Sequence, residues 1–243
     1  MTYCVALNVR DGLVMLADTR TNAGNDNVRT FRKLHVVEQP GERVLALMCA
    51  GNLAVSQAVV NLLTDGVETE RGRETLRDAP NVLRAAQLVG HAVRQVYQVD
   101  GEALQAQNVS FDVSFLLGGQ IAGGPVRLFQ IYAAGNFIEG GPDMPFLQIG
   151  EHKYGKPILD RALTYETPLE DGVKLVLISM DSTLRSNLTV GLPIDLLLVR
   201  AGALKVERQR RIGEDDPYFR MIRERWSSAL REAYQGIPRP EWS

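Results

Sequence analysis

Thr2-Tyr3-Cys4-Val5-Ala6-Leu7-Asn8-Val9-Arg10-Asp11-Gly12-Leu13-Val14-Met15-Leu16-Ala17-Asp18 is the stretch on which the fold turns. Residues 3–9 and 13–18 are β-type runs separated by Arg10-Asp11-Gly12. Asp-Gly between two such runs signals a hairpin, because glycine tolerates positive φ. The first strand therefore begins almost at residue 2, and a terminus that would ordinarily fray is pinned into a sheet. The hairpin also places Asp18, at the far end of its second strand, beside the start of the first.

Outward from that hairpin, residues 19–30 are polar and glycine-containing and read as a loop. Residues 34–38 and 44–50 read as two more strands, turned by Pro40-Gly41. Gly51-Asn52 then precedes a helix over 53–63, ended by Asp65-Gly66. Residues 69–78 are charged and read as exposed, and 80–99 read as a long helix with an apolar face of Leu83, Ala86, Val89, Val93 and Val96. Short strand-like runs return at 112–118, 126–133, 136–139 and 146–149. Helical patterns follow at 154–163 and 168–180, then a hairpin of 194–200 with 204–210 around Ala201-Gly202. A charged amphipathic helix over 217–234 and a proline-bearing tail over 236–243 close the sequence.

Strands, two helices, strands, two helices, strands: hairpin-linked strands mean antiparallel sheets, and helices in consecutive pairs mean helical layers. The expected class is α+β, a four-layer αββα sandwich with a C-terminal helical extension. A doubly wound sheet would need strands alternating with single helices. With no repeat or linker, one domain is expected over 1–243, its core at 2–212 and its C-terminal helix and tail at 213–243.

The chain's 243 residues allow a substantial core, and 45% hydrophobic with 23% charged residues is a globular balance. A formal net charge of -2 draws it neither to nucleic acid nor to an anionic membrane. No apolar run is long enough to cross a bilayer, and the first residues lack a signal-like pattern, so a cytoplasmic protein is expected. Cys4 and Cys49 read as small buried hydrophobes rather than a disulfide framework. His35, His91 and His152 lack metal-ligand spacing, so neither a metal nor another cofactor is expected.

Chemistry enters with Thr2. Once Met1 is removed, one residue carries a hydroxyl nucleophile and a free α-amine. An α-amine titrates near about 7.7–8.0, so a useful fraction is neutral at pH 7 and can act as general base for that hydroxyl. Asp18 can orient groups around the amine, and Lys33 returns toward the same end of the sheet, where an ammonium favours an alkoxide-like oxygen. Taken singly, they read as an incidental second residue, a turn-capping Asp and a solvated surface Lys. Their meeting at one sheet end is what points to catalysis.

The stretch Thr2…Leu16-Ala17-Asp18-Thr19-Arg20…Phe31-Arg32-Lys33-Leu34…Ala50-Gly51-Asn52-Leu53-Ala54 resembles the proteasome β-subunit pattern. Gln148-Ile149-Gly150, Leu159-Asp160-Arg161 and Met180-Asp181-Ser182 continue it in order. Asp18-Thr19-Arg20-Thr21-Asn22-Ala23-Gly24 and Thr30-Phe31-Arg32-Lys33 resemble its bacterial ancestral β-subunit (Anbu) branch. The resemblance implies the N-terminal-nucleophile hydrolase fold, with Thr2 as nucleophile, Asp18 and Lys33 tuning it, and the Gly51 N–H in the oxyanion hole. It makes Asp181 a second acid supporting the amine and Ser186 the accompanying serine, five residues on where the family places it three on. The residue after Ile-Gly, a serine in the family, is Glu151 here, followed by His152, which reads as a surface histidine. The loop around Arg20 and Thr21 is expected to line the substrate cleft and pair with a peptide as an added strand. Cys49 and Ala50 are expected to border the specificity pocket.

The implied activity is a threonine-type endopeptidase acting on peptide or unfolded protein inside a self-assembled homo-oligomer, a ring or a helical particle. Two other readings stand beside it: an amidohydrolase of small amides, and a weakly active or non-catalytic assembly protein, to which Glu151 points.

Overall fold

The computed structural model describes residues 1–22 and 28–242. In chain order the strands and helices are β1 (Tyr3–Val9), β2 (Gly12–Asp18), β3 (Arg20–Asn22), β4 (Val28–Thr30), β5 (Leu34–Gln39), β6 (Arg43–Gly51), α1 (Leu53–Asp65), β7 (Val67–Thr69), β8 (Gly72–Glu74) and α2 (Val82–Ala106). There follow β9 (Val113–Ile121), β10 (Arg127–Ile131), β11 (Phe137–Gly140), β12 (Phe146–Gly150), α3 (Lys156–Ala162), α4 (Leu169–Ser186), β13 (Ile194–Arg200), β14 (Arg208–Ile212) and α5 (Pro217–Gln235).

The strands form two five-stranded sheets, ordered β12-β1-β2-β13-β14 and β11-β10-β9-β6-β5, with two small hairpins, β3-β4 and β7-β8. Strand alternation builds the layers, because successive side chains point to opposite faces. From β1 and β2, Cys4, Ala6, Leu13, Met15 and Ala17 meet Val44, Ala46, Met48, Leu116 and Leu128 of the other sheet. Their neighbours Tyr3, Val5, Leu7, Val14 and Leu16 face outward onto Leu159, Val176, Leu177 and Met180 of α3 and α4 and Phe219 of α5. On the second sheet Leu45, Leu47, Cys49, Phe115 and Leu117 face Val55, Val59 and Leu63 of α1 and Ala85, Val89 and Val93 of α2. Both faces of the β1-β2 hairpin are thus covered, which is why all seven residues of each strand are buried. The αββα sandwich with its C-terminal helix is as expected.

Several local expectations are corrected. Within 19–30, read as a loop, Arg20–Asn22 and Val28–Thr30 pair as strands; Ala23 and Gly24 lie outside the described residues. Part of the exposed 69–78 segment is the β7-β8 hairpin. α2 starts two residues later than expected, with the Asn81 side chain capping Arg84 N–H, and runs on to Ala106. α4 likewise runs on to Ser186. The partner of β13 is Arg208–Ile212 rather than 204–210: Leu204 has positive φ and accepts the Gly41 N–H, while Val206 N–H donates to Glu38, so the connection is drawn onto the β5-β6 turn.

Candidate functional site

Thr2 stands at the mouth of β1, 8% exposed, with Tyr3 opposite Gly150 and Cys4 opposite Ala17. Its carbonyl accepts the Glu151 N–H at 2.7 Å. Gly150 has φ +78°, and a Cβ there would lie 1.9 Å from the Thr2 oxygen. Glycine is what permits this approach.

Asp18 closes β2 and is wholly buried; Lys33, just before β5, is 2% exposed. The Lys33 ammonium donates to Asp18 Oδ1 and to the Arg20 carbonyl, both at 2.7 Å. Asp18 also accepts backbone N–H groups of Tyr3 at 3.0 Å, Arg20 at 3.2 Å and Gly191 at 3.3 Å. Lys33 is therefore not the solvated surface residue that it resembles in isolation. Burial pushes the Asp18 carboxyl above its usual range, and the Lys33 charge opposes this. The α-amine of Met1 is held below its ordinary value, first by burial and then by Lys33, with Asp18 and Glu151 opposing. An amine so placed is a weaker base but is more readily neutral near pH 7, the form that can accept a proton.

Gly51 is the last residue of β6, with φ +107°, and a Cβ there would lie 2.1 Å from the Asp112 carbonyl oxygen. The helix begins after it: Asn52 is the N-cap, its side chain accepting from Ala54 and Val55 N–H. The Gly51 N–H is thus presented by a strand end rather than by the helix start. Gly51, Ala50, Gly150 and His152 line one cavity of about 550 Å³. His152 is exposed, its Nδ1 3.0 Å from the Gly150 carbonyl.

Cys49 and Ala50 do not share a pocket, since adjacent strand residues face opposite ways. Cys49 faces α1 and lines a separate cavity of about 220 Å³ with Phe31, His35, Ser56 and Gln57. Its Sγ donates to the Lys33 carbonyl at 3.8 Å, which ties this cavity to the lysine. Burial pushes its thiol up to about 11. Both cysteines are free and buried.

The Arg20 guanidinium donates to the Leu188 carbonyl at 2.8 Å, so its side chain is committed to the loop after α4. Thr21 lies opposite Arg29 in the β3-β4 hairpin and its hydroxyl donates to the Arg29 carbonyl at 3.1 Å. Among the described residues β3 has a partner strand on one side only.

Asp181 and Ser186 are not brought to Thr2. Asp181 is buried in α4 and its two oxygens accept from Arg223 Nε at 2.8 Å and Arg185 Nε at 3.0 Å. It ties α5 to α4. Ser186 is exposed at the end of α4, and among the described residues no hydrogen bond joins either residue to Thr2. Ser186 is the last residue of α4, which runs on past 180. Sequence reasoning missed Gly191, whose N–H completes the Asp18 cage; its signal was the turn-like Gly191-Leu192-Pro193. Among the described residues no group of His, Cys, Asp and Glu is arranged to hold a metal ion.

Two antiparallel sheets between helical layers, with residue 2 at a sheet end beside a buried lysine–aspartate pair, define the proteasome β-subunit type of N-terminal-nucleophile hydrolase sandwich. The family model described as proteasome subunit matches residues 2–197, and the chain belongs to that family, in its ancestral β-subunit (Anbu) branch. It is similar to the structure titled Anbu (ancestral beta-subunit) from Yersinia bercovieri, at 47% identity over 100% of both chains with TM-score 0.92. It is similar to the Anbu (Gly-1) mutant from Hyphomicrobium sp. strain MC1, at 50% identity over 100% of both chains with TM-score 0.92. To the helical assembly of the Anbu complex from Pseudomonas aeruginosa it is 50% identical, over 99% of this chain and 98% of that one, with TM-score 0.92. Among curated proteins none matches the chain.

Proposed function

We propose that this protein is a threonine-type endopeptidase whose nucleophile is Thr2 after removal of Met1. The observation that supports this most is the buried Lys33–Asp18 pair at the sheet end where β1 begins. The Thr2 amine takes the hydroxyl proton while Oγ attacks an amide carbonyl. Lys33 stabilises the negative charge developing on oxygen, and the Gly51 N–H receives the oxyanion. Collapse of the tetrahedral intermediate expels the leaving amine, which takes the proton back from the ammonium, and leaves an acyl-enzyme. Water, deprotonated by the same amine, then hydrolyses the ester. Asp18 holds Lys33 in place through a 2.7 Å contact and is itself fixed by three backbone N–H groups. The substrate is an extended peptide that pairs with the free edge of β3 at Thr21.

The chain works as a homo-oligomer, a reading supported by its likeness to the helical assembly of the Pseudomonas aeruginosa Anbu complex. Its compartment is the cytoplasm; no helix among the described residues is long and apolar enough to cross a membrane.

A second reading, a weakly active assembly protein, is favoured by Glu151 in the place of the family's serine and by the engagement of Asp181 with arginines. The test is intact mass followed by hydrolysis of fluorogenic peptides by wild type and Thr2→Ala. Loss of one methionine and abolition of cleavage in Thr2→Ala are expected. Full retention of Met1 in a sample that still cleaves, or equal cleavage by both proteins, sinks the mechanism and leaves the assembly reading.

A further inference from the structure

In an antiparallel pair of strands, one residue turns both its N–H and its C=O toward the partner and the next turns both away. The ladder between β1 and β12 is set by the Asn8 N–H on the Pro145 carbonyl at 2.8 Å and the Glu151 N–H on the Thr2 carbonyl at 2.7 Å. In steps of two, Leu147 and Ile149 therefore turn their backbone groups toward β1, and Phe146, Gln148 and Gly150 turn theirs outward. β12 is the last strand of its sheet, and among the described residues nothing pairs with the Phe146 or Gln148 backbone on that side. Such an edge is a template for an added strand.

Two clefts follow this edge. The cavity of about 550 Å³ that contains Gly51 and Gly150 is also lined by Gln130, Gln148 and His152. The same three residues line a further cavity of about 400 Å³, so the two adjoin. The second continues past Phe146 to Met144 and Ile138, apolar side chains that are 40% and 39% exposed. Each cleft alone lies in the range of roughly 300–1,000 Å³ that holds a small molecule, so end to end they have room for several residues of an extended chain. The apolar far end suits the side chains of an unfolded polypeptide.

Sheet order gives the channel its place in the reaction. β1 lies between β12 and β2. Asp18, Lys33 and the β3 edge are on the β2 flank of Thr2, and Gly150 is on the other. The two halves of an extended peptide run in opposite directions from the scissile bond. A substrate whose acyl half pairs with β3 therefore leaves the reacting centre on the β12 flank.

We propose that β12 is the leaving-group subsite: the part of the substrate that follows the scissile bond adds to the free edge through the Gln148 N–H and C=O. This deepens the endopeptidase reading and rests on Thr2 as nucleophile. A small amide has no chain to lay there, and the edge would give it nothing.

The experiment uses the full-length protein and peptides that share one labelled acyl half and carry zero, one, two or four residues after the scissile bond. Affinities are read by fluorescence polarisation on Thr2→Ala, and cleavage on wild type whose loss of Met1 is checked by mass. Gln148→Ala, added to Thr2→Ala, removes the carboxamide that donates to the Tyr3 hydroxyl but keeps the backbone N–H. Gln148→Pro removes the N–H as well, at an edge position whose N–H the ladder to β1 does not use. From zero to four residues the affinity is expected to rise about 30-fold, the worth of two net hydrogen bonds. Gln148→Ala should keep that gain and Gln148→Pro should cut it about fivefold, the share of one bond. Peptides N-methylated at each leaving-side amide in turn repeat the test without touching the fold: methylation at one amide should cut the gain about fivefold, and at its neighbour leave it. Affinity that does not depend on leaving-side length overturns the inference and leaves the nucleophile standing. A gain that survives Gln148→Pro and every N-methylation also overturns it. The expected losses, with no cleavage by wild type, keep β12 as a peptide-binding edge and sink the nucleophile together with the leaving-group role.

Discussion

Replacing Lys33 with Ala removes the cation from a pair whose two side chains are 3% and 0% exposed. Breaking a buried pair costs about 3–5 kcal/mol, because the partner is left charged and dry. Asp18 retains three backbone donors, from Tyr3, Arg20 and Gly191, which places the loss at the lower end, about 3 kcal/mol. For a chain of this size that lowers the thermal midpoint by roughly 6–12 °C. Turnover should fall by a factor of about 10²–10⁴. The pH dependence identifies the cause. Burial raises the Asp18 carboxyl in the folded state and Lys33 opposes this, so removing Lys33 raises it further. A carboxyl whose folded value lies above its unfolded one binds more protons when folded, and the folded state gains as pH falls through that raised value. The deficit of Lys33→Ala relative to wild type should therefore be largest at neutral pH and shrink as the solution is acidified. Melts from pH 7.5 downward, at one protomer concentration, measure it alongside peptide hydrolysis. An unchanged midpoint would show that the pair is not buried in solution. A deficit that does not vary with pH would show that Asp18 is not the group left behind. The double variant Lys33→Met with Asp18→Asn should recover stability but not turnover.

Three other outcomes follow from the site. Gly150→Ala should destabilise by more than about 2 kcal/mol, because φ is +78° and the new Cβ would lie 1.9 Å from the Thr2 oxygen, whereas Gly41→Ala, at φ +81° with open space around it, should cost only the backbone strain; paired urea melts compare them. Glu151→Gln removes a charge that raises the Met1 amine; if that charge acts likewise on the Thr2 amine one residue on, the acid limb of the pH–rate profile moves to lower pH, and a limb that stays in place would show that Glu151 does not bear on the base. Arg223→Ala should loosen α5 from α4, leaving Asp181 with Arg185 alone, and faster amide hydrogen exchange along 217–235 would record it.

The layers were legible in the sequence because they rest on short-range physics. Asp11-Gly12 turns the first hairpin, period-two burial assigns each strand's faces, and the register of that hairpin alone brings Asp18 beside the start of β1. Legibility stopped where a residue's role depends on what arrives from far along the chain. Lys33 looks solvated until Asp18 and the Arg20 carbonyl engage its ammonium. Cys49 and Ala50 look like one pocket until the β6-β9 pairing shows them on opposite faces. Asp181 and Ser186 looked like site residues by their place in a motif, but Ser186 is exposed at the end of α4 and Arg223, forty-two residues on, takes an oxygen of Asp181. The sandwich and the meeting of residue 2 with Asp18 could be read from the sequence, since hydrogen-bonded pairing and alternation are local and repeated. The cavities, the Gly150 approach to Thr2 and the cage around Asp18 come only with the folded chain, since each is a meeting of groups whose separation in the chain leaves no periodic trace.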